Sequence, residues 1–177
     1  WAEPLQGAGG VIVPPAGYHQ RMHAVCRKHD VLWVSDEVVT AFGRVGHMFA
    51  SLDAFGIQPD IICCAKGLTS GYQPLGAAIF SDEIYRVIAE PGHGRCFANG
   101  YTYSGHPVAC AAALANIDII EREDLCGHVR EVGPYFEQQL NGLRDLPLVG
   151  DVRGRNLMMC VEMVADRQTK RLFPEEM

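Results

Sequence analysis

The stretch Ile61-Ile62-Cys63-Cys64-Ala65-Lys66-Gly67-Leu68-Thr69-Ser70-Gly71 sets a lysine between a dense apolar run and a glycine-rich bend. An apolar run of this length, bounded by turn residues, reads as a buried strand over residues 61–65. Lys66 stands where that strand emerges. A lysine held in apolar surroundings has a lowered pKa, because burial disfavours the ammonium form. A neutral amine is nucleophilic and condenses with a carbonyl to give a Schiff base. The plainer reading is a lysine that ends a strand and points to water.

A second strand is expected just upstream. Val31-Leu32-Trp33-Val34 is a short apolar run with β-branched and aromatic content, and Ser35-Asp36-Glu37-Val38 follows it directly. Two carboxylates at the end of a buried strand are as unusual as the lysine. Before this run, Tyr18, Met22, Val25 and Cys26 recur near helical spacing, so residues 18–29 read as a helix with a polar, basic outer face. After Lys66, residues 74–80 read as a strand. Ser81-Asp82-Glu83 then offers a capped start to a helix over residues 84–89. Pro107 suits the first turn of a helix over residues 108–121, apolar all round and therefore expected to be buried. Residues 125–143 carry a single apolar stripe with Gly133-Pro134 inside it. Strands are expected at 148–152 and 157–164, flanking Arg153-Gly154-Arg155. Strands alternating with helices imply an α/β layer, and in such sheets ligands gather at the carboxyl ends of strands. Asp36 and Lys66 both lie at such ends.

The bulk numbers agree with this class. The chain has 177 residues, 48% hydrophobic and 20% charged, with a net charge of -6 and both signs interspersed. That mix fits a globular protein and argues against a nucleic-acid or anionic-membrane surface. Seven cysteines show no metal-type pairing, and without a His-x-x-His set no metal is expected. A reducing, cytoplasmic setting is the expectation. His19, His23, His29, His47, His93 and His128 read as surface histidines, and His106 as ordering its loop. Cys63 and Cys64 read as packing. Trp1-Ala2-Glu3-Pro4 reads as mid-domain sequence, and residues 171–177 stop without a closing element, so the expectation is a piece of a longer chain.

An acid, a lysine and a hydroxyl-bearing helix start suit pyridoxal phosphate. It has an aldehyde for Lys66, a pyridine nitrogen for Asp36, and a phosphate for Thr102 and Ser104 with the free amides of the following helix. Val38, two residues after Asp36, would pack on the flat face of the ring. Glu37 points the other way along an extended chain and reads as structural.

These residues sit in a larger pattern. Glu3-Pro4 with Gln6-Gly7-Ala8-Gly9-Gly10 comes first. Asp36-Glu37-Val38 with Phe42-Gly43-Arg44-Val45-Gly46 follows, then Ala65-Lys66-Gly67 with Gly71-Tyr72-Gln73-Pro74-Leu75-Gly76. Thr102-Tyr103-Ser104-Gly105-His106-Pro107 completes it. In order and spacing the pattern resembles the class III pyridoxal-phosphate aminotransferases, most nearly the omega-aminotransferases that act on amines or omega-amino acids with pyruvate. Gly150-Asp151-Val152-Arg153-Gly154 resembles the start of their C-terminal domain.

The resemblance implies a fold type I α/β domain, a mostly parallel sheet with helices on both faces, plus the start of a small α+β C-terminal domain. Residues 1–122 would be the second part of the cofactor-binding domain, and residues 123–177 a linking helix and the start of the small one. It implies ping-pong transfer of an amino group to a keto acid. Lys66 would be the Schiff-base lysine and proton shuttle, Asp36 the partner of the pyridine nitrogen, and Val38 a cover for one ring face. Thr102, with the Tyr101 backbone, would bind the phosphate of the partner subunit's cofactor in a homodimer. A racemase or aminomutase on the same fold would use the same Lys66 and Asp36, and an incomplete, non-catalytic module is the further alternative. Two departures stand out. Relatives acting on ornithine or 4-aminobutyrate place a glutamate where this chain has Ala8, and many place a glutamine where it has Val39. The family's upstream phosphate loop and ring-stacking aromatic, and its downstream carboxylate-binding arginine, are expected outside this sequence.

Overall fold

The structure, a computed structural model, describes residues 1–92, 94 and 96–174. Ile61–Cys64 forms β2, the middle strand of a three-stranded sheet of order β1-β2-β3. On one side β1, Val34–Asp36, runs parallel to it with Val34 opposite Ile61, Ser35 opposite Ile62 and Asp36 opposite Cys63. On the other side β3, Ala77–Phe80, runs antiparallel. The first residues extend the sheet beyond β1, where Ala2 bridges Ser35 in parallel and the Asp36 amide donates to the Ala2 carbonyl at 2.9 Å. The parallel pair is spliced by Asp60. Its Oδ2 accepts from the Trp33 amide at 2.6 Å and from Arg27 at 2.7 Å, and its own amide donates to the Trp33 carbonyl.

Helix α1, Tyr18–Lys28, lies close to the expected span, and Arg27 and Lys28 in its last turn complement the helix dipole. The first strand begins later than its composition suggests. Val31 and Leu32 are more than half exposed, because the Val31 amide folds back onto the Cys26 carbonyl at 2.9 Å and finishes the helix end. Only Trp33 of that run is buried. His19, read from the sequence as a surface residue, is in fact 5% exposed. Its Nε2 lies 3.0 Å from the Pro4 carbonyl, and its ring meets Trp33 and Phe55 edge-on. His93 lies outside the described residues.

Helix α2, Ala50–Asp53, is a single turn. Helix α3, Asp82–Ala89, starts where expected, with Ser81 Oγ accepting from the Ile84 amide. Helix α4, Pro107–Arg122, has the expected extent but not the expected burial. Only Ala109, Ala113 and Ile120 are covered, while Leu114 is 70% exposed. The helix leans chiefly on the helix that follows it and on the bend after Lys66, and most of its other residues are exposed. Helix α5, Leu125–Asn141, is capped by the Asp124 carboxylate and continues into a 3-10 turn at Gly142–Asp145.

The last elements are β4, Val149–Arg155, and β5, Met158–Met163, an antiparallel pair. Arg153-Gly154-Arg155, read as the link between strands, belongs to β4, and Asn156-Leu157 makes the turn. Gly154 has φ 141°, and a Cβ there would lie 2.1 Å from the Met158 carbonyl oxygen, so this glycine marks a close backbone approach. Leu5, Val45, Ala50 and Met158 form one buried cluster that packs this hairpin onto the earlier part of the chain. Among the described residues no helix is long and apolar enough to cross a membrane.

Asn116, a polar residue within the apolar α4, ties that helix to the bend after Lys66. Its Nδ2 donates to the carbonyls of Gly67 at 2.8 Å and Leu68 at 3.1 Å, and its Oδ1 accepts from Ser70 Oγ at 2.7 Å. Asn116→Ala strands these groups, and the expected cost is about 1–3 kcal/mol in urea unfolding of the intact protein. An unchanged unfolding midpoint would contradict that role.

Candidate active site

Lys66 opens a 3-10 turn, Lys66–Leu68, directly after β2. Its backbone is left-handed at φ 47°, a strained region for a residue with a Cβ. The turn is closed by the Leu68 and Thr69 amides on the Ala65 and Lys66 carbonyls, and by Asn116 from α4. Gly67 fits against Phe42, whose Cβ would stand 3.0 Å from a Cβ at that position. The Lys66 side chain is exposed. Of the apolar run only Cys64 is buried, Ile61, Ile62, Cys63 and Ala65 being half-buried, and the left-handed turn carries the lysine out of the layer. Two clefts adjoin it. One of about 580 Å³ is lined by Phe42, Arg44, Lys66, Gly71, Val129 and Leu157. The other, of about 440 Å³, is lined by Gly7, Ala8, Val39, Arg44, Lys66 and Met158.

Asp36 ends β1 beside β2. Its Oδ1 accepts from the Val38 amide at 3.2 Å and its Oδ2 from the Trp1 indole at 3.1 Å. The carboxylate adjoins a third cleft, of about 360 Å³, with Trp1, Glu3, Gln6 and His19. The strand register thus brings Asp36 and Lys66 to neighbouring carboxyl ends, while in this chain they line different clefts. Val38 does not continue an extended strand. The chain turns at once, and the bond to Asp36 holds the Val38 amide in that turn.

Between the two ends sit the cysteines. Burial, and secondarily the nearby Asp36 carboxylate, push the Cys63 thiol upward, and burial does the same for Cys64. Both are kept protonated and poorly nucleophilic, in keeping with a packing role. Glu37 faces away from Asp36, as alternation along a strand requires, and is fully buried.

Tyr101 and Thr102 are exposed on a turn before α4. The Tyr101 amide donates to Ser104 Oγ at 2.8 Å, and the Ser104 amide to the Tyr101 carbonyl at 2.9 Å. Neither residue lines a cleft that holds Lys66 or Asp36. Three residues at the site escaped the sequence reading. Asn116 was visible as a polar residue in an apolar helix, and Arg44 as a cation in a glycine-rich loop. Nothing in the sequence signals the bond from Trp1 to Asp36.

The model of the aminotransferase class-III family matches residues 2–176. Uncharacterized aminotransferase y4uB of Sinorhizobium fredii is 53% identical over an alignment of 175 residues that covers 97% of this chain and 37% of that protein. Gamma aminobutyrate transaminase 1 of Solanum lycopersicum is 43% identical over 99% of this chain and 34% of its own length. The chain therefore spans little more than a third of the curated relatives it matches. Among solved structures, a thermostable (S)-enantioselective omega-transaminase from Thermomicrobium roseum superposes with a TM-score of 0.91 at 50% identity, covering 98% of this chain and 38% of that one. The mixed α/β arrangement described above is part of that fold. By family model, sequence identity and superposition together, the chain belongs to the class-III aminotransferase family.

Proposed function

We propose that the protein transfers an amino group from an amine or omega-amino acid to a keto acid such as pyruvate, in two half-reactions, with pyridoxal phosphate as cofactor. The observation that carries this reading is the parallel register of β1 and β2, which sets a carboxylate and an amine at adjoining strand ends. The family of the chain and the likeness to an omega-transaminase support the reaction class. Ala8 supports the amine and pyruvate subgroup, while Val39 lacks the contact to the cofactor's phenolic oxygen that a glutamine there would make.

The residues present fit this cofactor: an exposed amine for its aldehyde, a carboxylate held by two donors for its ring nitrogen, and a polar turn at a helix start for a phosphate. Bound pyridoxal phosphate supplies a carbonyl that captures amines and a ring that withdraws electrons from the substrate carbon. Lys66 would hold the aldehyde through Nζ, and with a donor amine in its place the same Nζ would carry the proton from the donor carbon to the cofactor, a role that needs a side chain free to swing. Among the described residues no hydrogen bond or ion pair restrains it. Asp36 would keep the ring nitrogen protonated by its negative charge, with Trp1 and Val38 holding the carboxylate in one orientation. Val38 would cover one face of the ring.

Thr102, with the Tyr101 backbone, would bind the phosphate of the cofactor in a second copy of the chain, which makes the working unit a homodimer. Their exposure, and their absence from the lining of the three clefts described above, support that assignment. In the same reading residues 1–122 are the second part of the cofactor-binding domain, and the linking helix and start of a smaller domain follow. The two separate sheets fall on either side of that boundary.

Lys66→Ala in the intact protein is expected to remove both the visible absorbance of lysine-bound cofactor and transfer to pyruvate. Asp36→Asn is expected to retain cofactor and lose activity by about a hundredfold or more. A visible band that survives in the lysine variant, or undiminished turnover in the asparagine variant, overturns the corresponding role. Sedimentation equilibrium is expected to give the mass of two chains, and a single-chain mass for an active protein would rule out the role across the interface.

A further inference from the structure

The Glu37 carboxylate is fully buried, and among the described residues it has no cationic partner within ion-pair distance. A buried carboxylate is costly unless its oxygens are satisfied. Here both act as acceptors. Oε2 takes the Thr40 hydroxyl at 2.6 Å and the Ala50 amide at 3.0 Å. Oε1 takes the Ser51 amide at 2.7 Å and the Ser51 hydroxyl, which also lies 2.5 Å from Ser35 Oγ on β1. The backbone of Glu37 is pinned as well, its amide on the Cys63 carbonyl at 2.8 Å and its carbonyl under the Ala41 amide at 3.1 Å. One residue therefore ties together β1, β2, the turn after β1 and the start of α2.

That residue sits between Asp36 and Val38. With Glu37 held on all sides, the chain has to turn directly after Asp36, and the Val38 amide falls onto Asp36 Oδ1. We infer that Glu37 is a positioning residue for Asp36: its buried clamp holds the turn that orients the carboxylate toward the cofactor's ring nitrogen. This rests on the role proposed above for Asp36. Glu37 touches neither cofactor nor substrate, and it acts through the turn. A neutral amide cannot reproduce the clamp, because a glutamine side chain in its place would present an NH₂ to at least one of the backbone donors now facing an oxygen.

The test is Glu37→Gln in the intact protein, with two readouts besides activity. In the cofactor-free protein, hydrogen exchange of the Val38 amide is expected to quicken about tenfold beyond any global change, because the bond to Asp36 is no longer held. In protein loaded with pyridoxal phosphate labelled with ¹⁵N in the ring, the nitrogen resonance is expected to move toward the unprotonated value. Asp36→Asn serves as the reference for that movement. A folded Glu37→Gln protein that loses thermal stability yet leaves the Val38 amide and the ring nitrogen unchanged overturns the inference. If Asp36→Asn also fails to move the nitrogen, it is the role of Asp36 that falls, and the Val38 amide alone then decides the claim for Glu37. Should Glu37→Gln not fold, Thr40→Val removes a single donor from the clamp, and the same two readouts decide.

Discussion

The parallel pairing of Val34–Asp36 with Ile61–Cys64 is the constraint on which the rest depends. Side chains alternate along a strand, so a slip of one residue would turn Asp36 inward and Glu37 outward. The register is held from both ends. At the entry, Asp60 gathers the Trp33 amide and Arg27. At the exit, the Glu37 amide bonds the Cys63 carbonyl and the Glu37 carboxylate closes the turn. With the strands locked, the chemistry-bearing side chains emerge at one edge of the layer.

Both exits from the sheet use the same physical device, a turn held by a polar side chain within an otherwise apolar setting. After β1 the side chain is Glu37, and after β2 it is Asn116 reaching from α4. Buried hydrogen bonds contribute modestly when made, but leaving such groups unpaired costs about 1–3 kcal/mol each. They therefore specify one conformation more firmly than apolar packing alone. The left-handed backbone of Lys66 is held by this framework, with Gly67 leaving room for Phe42 beside it. Lys66 is thus exposed and Asp36 half-buried, while Asn116 is half-buried and Glu37 fully buried.

Much of this was legible in the sequence, because the signals were local. The apolar run before Lys66, the cap at Ser81 and the proline opening α4 report on neighbours a few residues away. Alternation along a strand also separated Asp36 from Glu37 correctly. The misreadings came from contacts and turn geometry that composition does not report. His19 looks polar, yet Trp33 and Phe55 enclose it from far along the chain. Gly154 looks like a turn, yet it serves a close pass of β5. Lys66 was open to two readings, held in apolar surroundings or pointing to water, and the turn geometry decides for exposure. The apolar character of α4 foretold a cover that the described residues do not provide. The neighbourhood of Asp36 and Lys66 was inferable only by combining a fold class with two strand ends, and their separate clefts were not inferable at all.

The central claim is that Lys66 is the amine that captures the cofactor, and chemical trapping tests it most directly. Incubating the intact protein with pyridoxal phosphate, reducing with borohydride and mapping peptides by mass spectrometry locates the modified lysine. The account predicts a single phosphopyridoxyl adduct on Lys66, stoichiometric with bound cofactor. An adduct on Lys28 or Lys170 with Lys66 unmodified, or no stable adduct despite bound cofactor, would contradict it.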